Sequence, residues 1–364
     1  MAVACGIVGL PNVGKSTIFN AITAAGAESA NYPFCTIEPN IGIVDVPDPR
    51  LEQIRGHIES KKVIPASLKI VDIAGLVAGA ASGEGLGNKF LGTIKETDAI
   101  LHVVRCFEDP DIIHVAGRVD PISDIEVIEL ELGMADAETL TRNIERVNKK
   151  ARAGDKDSLA QKEVFVRALE LVESGKSLRA VAWKVEELAM LRPLFLITIK
   201  PVLFVANVAD DDLEGKGELP QIVAKYAAEN GCDFVALSGD IEGELAGMDP
   251  ADRAEFQAEL GITEPGLERL AHQAYHLLGL QTYFTAGPME IRAWTIHAGD
   301  TAPKAAGVIH TDFEAGFIRA ECYSVADLEE YKNEPAIRAA GRLRVEGKAY
   351  VMQDGDVVHF LFNK

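Results

Sequence analysis

Cysteine is scarce in this chain, and the cysteines it has are scattered. Five are present among 364 residues, and none stands in a C-x-x-C pair, so the sequence indicates neither a zinc site nor a thioredoxin-like redox site. An odd number of dispersed cysteines also favours a reducing compartment. We therefore expect a cytoplasmic protein whose cysteines fill space in the core.

Long hydrophobic runs and a positively charged leader are also missing. No apolar stretch reaches the roughly 18 residues of a membrane span. The N-terminal residues, MAVACGIVGL, carry no positive side chain and lead directly into a strand-like run. The sequence thus predicts neither a membrane helix nor a signal peptide.

The chain has too little positive charge to bind nucleic acid through its overall field. It has 36 Lys and Arg against 56 Asp and Glu, a formal net charge of −20 and a pI near 4.9. A chain this acidic repels other polyanions as a whole, so any contact with RNA must come from a local basic surface. The 48% hydrophobic and 25% charged content is otherwise ordinary for a globular protein.

Short apolar runs alternate with helical stretches in the first hundred residues, and two further apolar runs follow after residue 200. Most of these runs are continuously apolar, which is typical of strands buried on both faces of a doubly wound α/β sheet. A length above the ~250–300 residues of a single core also predicts two or three domains. The predicted strands are 2–8, 41–46, 68–73, 99–104, 202–206 and 234–237.

About a hundred residues separate the fourth and fifth of these strands, which is too long for an ordinary α/β connection. Residues 133–192 have helical periodicity around a polar break at 151–158, where Asp157 or Ser158 is predicted to be the N-cap of the second helix. Two helices joined by a short turn form an antiparallel hairpin. This insert carries more Lys and Arg than Asp and Glu, whereas the remaining chain is acidic.

The last part of the chain is predicted to be a separate unit of short strands. Strand-like runs occur at 291–294, 316–321 and 357–361, and Asp354-Gly355 between strand-like flanks predicts a hairpin turn. The predicted domains are a parallel-sheet domain of residues 1–132 and 193–279, a helical insert of 133–192, and a C-terminal unit of 280–364.

The segment GLPNVGKS, residues 9–16, matches the phosphate-binding pattern G-x-x-x-x-G-K-[ST] between an apolar strand and a helical stretch. Gly9 and Gly14 permit backbone angles closed to other residues, so consecutive N–H groups turn towards phosphate oxygens. The following helix adds its positive N-terminal end. Lys15 is predicted to bridge the β- and γ-phosphates, and the Ser16 hydroxyl to ligate Mg²⁺. A plain glycine turn is the alternative interpretation.

A second motif, DIAG at residues 72–75, ends the third predicted strand. Asp72 at the strand's carboxyl end predicts a carboxylate that holds Mg²⁺ through water, and Gly75 supplies an N–H for the γ-phosphate. Thr36, between the two motifs, is predicted to complete the Mg²⁺ coordination and to sense the γ-phosphate. Glycines in the following ASGEGLGNKF suggest a loop that a ligand orders.

Taken together, GLPNVGKST, YPFCTIEPN and DIAGLV resemble the Obg-related translation-factor GTPases. Three further features narrow the resemblance to the YchF / Obg-like ATPase family, and it extends over essentially the whole chain. These features are the motif NVAD at residues 207–210, the helical insert and the segment GDTAPKAAGVIHTDFEAGFIRAE. It implies a doubly wound α/β P-loop NTPase domain of the OBG type, an inserted helical coiled-coil hairpin and a C-terminal α+β TGS domain with a ubiquitin-like β-grasp fold.

The resemblance also implies an activity and partners. The family hydrolyses ATP to ADP and phosphate with Mg²⁺, and acts as a nucleotide switch on the ribosome. The large subunit is the expected contact, with RNA met through the insert and the TGS domain.

The resemblance implies an unusual base preference. Guanine-specific relatives carry N-K-x-D, in which Lys packs along the base and Asp accepts from guanine. Here the residues are Asn207-Val208-Ala209-Asp210, and the Lys is absent. The family prefers ATP to GTP, with the Asn meeting the adenine edge. Asp210, where the family usually has Glu, leaves open a GTPase of the Obg or DRG type.

Leu76 occupies the position that many GTPases fill with a water-orienting Gln, and its apolar side chain cannot hydrogen-bond to water. The family suggests His114 in its place, and Asn12 resembles the Asn that positions K⁺ in potassium-activated relatives. A packing histidine and a turn-favouring Asn are the alternative interpretations. Weak intrinsic turnover also leaves open a binding protein for which nucleotide is a regulatory ligand.

These considerations define the predicted site. The residues for catalysis are His114 and Lys15. The residues for Mg²⁺ are Ser16, Thr36 and Asp72. The residues for nucleotide are Asn12, Val13, Gly14, Lys15, Ser16, Thr17, Gly75, Asn207, Val208 and Ser238.

Overall fold

The structure is a computed structural model, and it describes residues 3–28, 40–73, 86–112, 114–115 and 117–363. The chain divides into two compact units, Met1–Val44 with Lys69–Gln273 and Asp45–Leu68 with Ala274–Lys364. This division differs from the sequence-based boundaries in two respects. The helical insert belongs to the first unit, and Asp45–Leu68, assigned above to the P-loop domain, packs with the C-terminal unit.

The first unit is built on a sheet of six described strands, two of which are buried along their whole length. Its described strands are β1 (Ala4–Val8), β2 (Ile41–Val46), β4 (Ala66–Asp72), β5 (Ala99–Cys106), β6 (Val202–Val208) and β7 (Asp233–Leu237), in the order β2-β4-β1-β5-β6-β7. From β4 to β7 each neighbouring pair is parallel. Every residue of β5 and β6 is buried, as expected for a sheet covered on both faces.

The loops at the carboxyl ends of these strands position the site, because ligands of open parallel sheets bind at that edge. The phosphate loop follows β1, Asp72 ends β4, the NVAD motif closes β6, and Ser238 follows β7. The helices described between the strands are α1 (Lys15–Glu28), α3 (Leu86–Glu96), α7 (Glu218–Glu229), α8 (Gly239–Ala246), α9 (Pro250–Glu259) and α10 (Gly266–Leu277).

The insert is a pair of long helices packed against each other, α4 (Pro121–Arg152) and α5 (Lys156–Glu173). At 32 residues, α4 is about 48 Å long from its rise of 1.5 Å per residue, and it begins well before the predicted insert. The predicted N-cap at Asp157 or Ser158 is wrong, because Asp155 is the N-cap of α5 and accepts from the N–H of Ser158. No helix in the described ranges is both long enough and apolar enough to cross a membrane.

The hairpin is fixed by an apolar core and by one buried carboxylate. Asp136 of α4 accepts hydrogen bonds from the backbone N–H of Ile197 at 2.8 Å, and from the N–H and hydroxyl of Thr198 at 2.7 Å each. Burial raises the pKa of Asp136, and these donors oppose the rise. The chain returns to β6 through α6 (Val185–Leu191) and two 3₁₀ turns, Leu178–Ala180 and Arg192–Leu194. The core consists of Leu140, Val164, Phe165, Ala168, Val172, Leu178, Leu191 and Leu196.

The second unit contains a separate mixed sheet. Its described strands are β3 (Val63–Ile64), β8 (Leu280–Ala286), β9 (Ile291–His297), β10 (Phe317–Ser324), β11 (Arg344–Glu346) and β12 (Asp356–Phe362), in the order β11-β10-β12-β8-β9-β3. The pairs β8–β9 and β10–β12 are antiparallel, and β12–β8 is parallel. Its helices are α2 (Pro49–Arg55), α11 (Ala302–Ile309), α12 (Thr311–Ala315), α13 (Val325–Tyr331) and α14 (Glu334–Ala339).

The hairpin turn predicted at Asp354-Gly355 is wrong. Val351 makes only an isolated bridge to Thr301, and β12 pairs with β10 and β8 instead. The Asp354 carboxylate accepts from the N–H of Thr282 at 2.8 Å and from the guanidinium of Arg50 at 2.6 Å. Because Arg50 lies on α2, this contact helps to hold Asp45–Leu68 in the second unit.

Candidate functional site

The phosphate loop turns sharply between β1 and α1. Asn12 has φ +62° and Gly14 φ +92°, in the region that Gly and Asn tolerate best. A Cβ on Gly9 would lie 2.5 Å from the carbonyl oxygen of Val103, and one on Gly14 would lie 2.0 Å from Nδ2 of Asn207. Both glycines are therefore required by close neighbours, and Gly14 also by its backbone angle.

Lys15, the first residue of α1, is buried with 8% of its surface exposed. Its Nζ donates to the carbonyl oxygens of Gly9 at 2.8 Å and Leu10 at 2.6 Å. Burial lowers the pKa of Lys15 to about 8, and the charge of Asp72 opposes part of this shift. An ionised phosphate is a stronger partner for an ammonium group than a carbonyl oxygen, so a bound phosphate would stabilise the charged form.

Asp72 ends β4, paired in register with Ile7 of β1. Burial raises the pKa of its carboxyl group, and the charge of Lys15 lowers it, so a further cation here would favour the ionised form. Ser16 is exposed at the start of α1. A hydroxyl and a carboxylate are the hard oxygen donors that Mg²⁺ takes. These two residues thus fit the ion.

The other predicted ligands of the phosphate and the metal, Gly75 and Thr36, lie outside the described residues. Leu76 lies outside them as well. Within the described ranges no group of three or more His, Cys, Asp or Glu side chains is arranged to hold a metal. A Mg²⁺ ion here would therefore need waters and phosphate oxygens to complete its shell, as is usual for this ion.

Asn207 joins the phosphate loop to the loop after β7. Its Nδ2 donates to the carbonyl oxygen of Val13 at 3.1 Å, and its Oδ1 accepts from the N–H of Gly239 at 2.9 Å. The side chain is only 5% exposed. This geometry differs from the predicted contact with the adenine edge, because both ends of the amide bind backbone groups. In this structure Asn207 holds two site loops at a defined spacing.

Asp210 and Ser238 lie together beside this tether. The Ser238 hydroxyl donates to Oδ1 of Asp210 at 2.6 Å and accepts from the N–H of Ile241, which makes it the N-cap of α8. Ser238 and Val208 are buried, whereas Asp210 is exposed. Asp210 is therefore the solvent-accessible member of this group.

His114 is buried and paired. Its Nε2 lies 2.9 Å from Oδ2 of Asp124 in the first turn of α4, and the two side chains are 4% and 5% exposed. Burial raises the pKa of Asp124, and the hydrogen bond from His114 lowers it. This conformation agrees with the alternative interpretation of His114 as a packing residue. A catalytic role requires the ring to leave this pair.

Family models match both ends of the chain. One described as a 50S ribosome-binding GTPase covers residues 4–150, and one for the C-terminal part of YchF GTPases, described as a protein of unknown function, covers 280–363. The ribosome-binding ATPase YchF of Escherichia coli O157:H7 is 53% identical, and that of Bacillus subtilis (strain 168) is 50% identical, each over 100% of both chains. The chain belongs to the YchF family.

A solved YchF structure has the same fold. The YchF GTPase of Schizosaccharomyces pombe superposes with a TM-score of 0.89 at 38% identity, over 99% of this chain and 97% of that one. Obg-like ATPase 1 of Caenorhabditis elegans is 41% identical over 98% of this chain and 91% of its own. The predicted family and the α/β fold with a P-loop nucleoside triphosphatase domain and a C-terminal YchF domain are confirmed. The TGS assignment stays a prediction.

One arginine of this YchF chain was not singled out from the sequence. Arg105 in β5 is 1% exposed, and its guanidinium donates to three backbone carbonyl groups of the segment that leads to His114. The only sequence signal for it is a cation within the apolar run AILHVVRC. The acceptors are the carbonyl oxygens of Phe107 at 3.1 Å, Asp109 at 3.3 Å and Ile112 at 3.0 Å.

Proposed function

We propose that this chain is a Mg²⁺-dependent ATPase that hydrolyses ATP to ADP and phosphate and acts as a nucleotide switch on the ribosome. The observation that carries this proposal is the buried Lys15, which is held by two carbonyl oxygens inside a glycine-rich turn. A bound triphosphate would replace these carbonyl acceptors with negatively charged phosphate oxygens, which pair better with the Lys15 ammonium group. The names of the E. coli and B. subtilis relatives, ribosome-binding ATPases, support both the reaction and the partner.

Catalysis in this proposal rests on positioning and charge neutralisation. Lys15 and the N–H groups of residues 12–17 hold the phosphates at the N-terminal end of α1. Ser16, Asp72 and Thr36 are proposed to hold Mg²⁺, which would neutralise charge on the β- and γ-phosphates. Asn12 is proposed to position K⁺, and its exposed place in the loop supports that assignment.

The base preference is proposed to favour adenine, because the Lys that packs along guanine in N-K-x-D is replaced by Val208. GTP binding is the second candidate, since Asp210 is exposed and its carboxylate could accept from guanine. Sites that hydrogen-bond a ligand discriminate strongly, since a mismatched ligand leaves buried polar groups unpaired. We therefore expect a clear preference and not indifference.

Competition binding with ATP and GTP, followed by turnover of each, tests the proposed reaction. ATP should bind more tightly and be hydrolysed, and Lys15→Ala should abolish productive binding without unfolding the chain. Asp210→Asn is the matched variant, because it removes a guanine acceptor with little change in size and should leave ATP binding unaltered. A tenfold preference for GTP, about 1.4 kcal/mol, would refute the assignment to ATP.

Docking on the ribosome is proposed to use the insert together with the C-terminal unit. The chain is too acidic for general attraction to RNA, so a local basic surface is needed. Five exposed cations lie near the carboxyl end of α4, towards the turn of the hairpin, and i, i+4, i+7 spacing places three of them on one face. A solvated helix face is the other interpretation. The five residues, called the basic end of α4 below, are Arg142, Arg146, Lys149, Lys150 and Arg152.

The large subunit is the proposed docking partner, with RNA as the contacted surface and the cytoplasm as the compartment. The description of the model that matches residues 4–150, a 50S ribosome-binding GTPase, supports the large subunit. Phosphate contacts would make the binding weaken steeply with salt. Co-sedimentation with separated subunits at increasing salt tests this part of the proposal, and equal binding to both subunits would count against it.

A further inference from the structure

The His114–Asp124 pair is closed to solvent. Nε2 and Oδ2 are 2.9 Å apart, and neither side chain is more than 5% exposed. This distance is that of a hydrogen bond, so Nε2 of the ring is already engaged by the Asp124 carboxyl group. A ring in this position does not present that nitrogen to a water molecule at a nucleotide phosphate.

The segment before His114 is fixed from the other side. The Arg105 guanidinium binds the carbonyl oxygens of Phe107, Asp109 and Ile112 and lies 4.6 Å above the ring of Phe107. Hydrogen bonds from a charged donor are stronger than neutral ones. The His114 ring is thus held by Asp124, and the segment that ends at Ile112 is held by Arg105.

The same helix that carries Asp124 also carries the basic end of α4. The helix is continuous from Pro121 to Arg152, and Asp136 ties its middle to Ile197 and Thr198. Its i to i−4 hydrogen bonds make it one stiff element. A force applied at the basic end therefore acts on the element that holds the His114 pair.

We propose that Asp124 is a positioning residue that keeps His114 withdrawn from the nucleotide, and that docking of the ribosome at the basic end of α4 releases it. This inference rests on the proposed ATPase function. Intrinsic turnover is then set by the small fraction of molecules in which His114 is released. Because a hydrogen bond to a charged group stabilises one state by about ten- to a hundredfold, that fraction responds strongly to loss of the Asp124 charge.

The test is the ATPase activity of Asp124→Asn, with Asp120→Asn as the matched control. Asp120 is the half-buried N-cap of the same helix, and Asn is an equally good N-cap. Asp124→Asn should raise the ribosome-free kcat several-fold, leave the KM for ATP within about twofold, and reach the same ribosome-stimulated rate as the unaltered chain. Asp120→Asn should match the unaltered chain in all three.

Two further variants test whether the faster turnover of Asp124→Asn depends on the His114 ring. His114→Ala should lose ribosome stimulation, and His114→Ala combined with Asp124→Asn should be no faster than His114→Ala alone. Acylation of His114 by diethylpyrocarbonate, followed by mass spectrometry, gives a readout that does not depend on activity. It should be slow in the unaltered chain and at least fivefold faster in Asp124→Asn, relative to the exposed His297 and His310.

Each contrary outcome has a distinct meaning. The proposed role of Asp124 is overturned if Asp124→Asn unfolds at the normal temperature and its turnover without ribosomes is unchanged or lower. Faster acylation without faster turnover would show that His114 does not act on the nucleotide, and it would also overturn the proposed role of Asp124. In either case, hydrolysis that still requires Lys15 would leave the proposed ATPase function intact. Asp124→Ala, with a good helix-forming residue, replaces Asp124→Asn if the latter fails to fold.

Discussion

The lowered pKa of Lys15 links nucleotide binding to the uptake of a proton. Burial moves this pKa from the ordinary value of 10.5 to about 8. A bound triphosphate surrounds the ammonium group with negative oxygens and returns the pKa to 10.5 or above. Between pH 8 and 10.5 the free site is mostly neutral and the occupied site is charged, so binding must take up a proton in this window.

The size of the effect follows from the two pKa values. At pH 9 only about one tenth of the free molecules carry a charged Lys15, so the affinity for ATP should be about tenfold weaker than at pH 7, or roughly 1.4 kcal/mol. At pH 8 the loss should be about twofold. The stability of the free fold moves the other way: the folded chain binds fewer protons than the unfolded chain between pH 8 and 10.5, so the contribution of Lys15 to stability rises with pH there.

Isothermal titration calorimetry at pH 8.5, in two buffers with different heats of ionisation, measures the proton directly. We expect an uptake of about three quarters of a proton per ATP bound. Lys15→Arg is the control, because a guanidinium remains charged at every pH used and any binding that it retains should take up no proton through this residue. Equal affinity at pH 7 and 9 with no proton uptake in the unaltered chain would refute the reasoning.

The remaining predictions concern the insert. Reversing the charge of Arg146, Lys149 and Lys150 together should weaken ribosome co-sedimentation at low salt and flatten its salt dependence, while ATP binding persists. Unaltered co-sedimentation with an unaltered salt dependence would show that the hairpin is not the docking surface. Asp136→Ala should lower the free energy of unfolding by about 3 kcal/mol, because it leaves buried donors without acceptors. The control, Glu138→Gln at an exposed position of the same helix, should lower it by less than about 0.5 kcal/mol. Equal denaturation curves for these two variants would show that Asp136 is not an anchor.

Several elements followed from local sequence because their causes are local. The strands of the first sheet were predicted to within a few residues, since most of them are continuous apolar runs of the kind that a doubly covered sheet buries. The phosphate loop was predicted from eight consecutive residues, because its two glycines and Lys15 act through backbone angles and one side chain. The insert was recognised by its length and periodicity, although its first helix begins earlier than the sequence suggested.

Long-range contacts decided the rest. Asn207 binds the carbonyl oxygen of a residue 194 positions away in the chain, and no local pattern shows that its amide is used in this way. Arg50 and Asp354 are 304 positions apart, yet their contact helps to hold Asp45–Leu68 in the second unit. Asp124 is only ten positions from His114, yet their pairing also depended on the fold, because it requires the start of α4 to lie against the ring.

The sequence by itself therefore determined the motifs on which the proposed chemistry rests: a phosphate loop, a lysine and the proposed oxygen donors for a metal, each encoded in a few adjacent residues. Tertiary structure alone decided how that chemistry is held and restrained. Burial lowers the pKa of Lys15, Asn207 links the two loops, and Asp124 pairs with His114. The physical reason is that burial and pairing depend on which distant residues the fold brings within hydrogen-bond reach, and motifs carry no record of those neighbours.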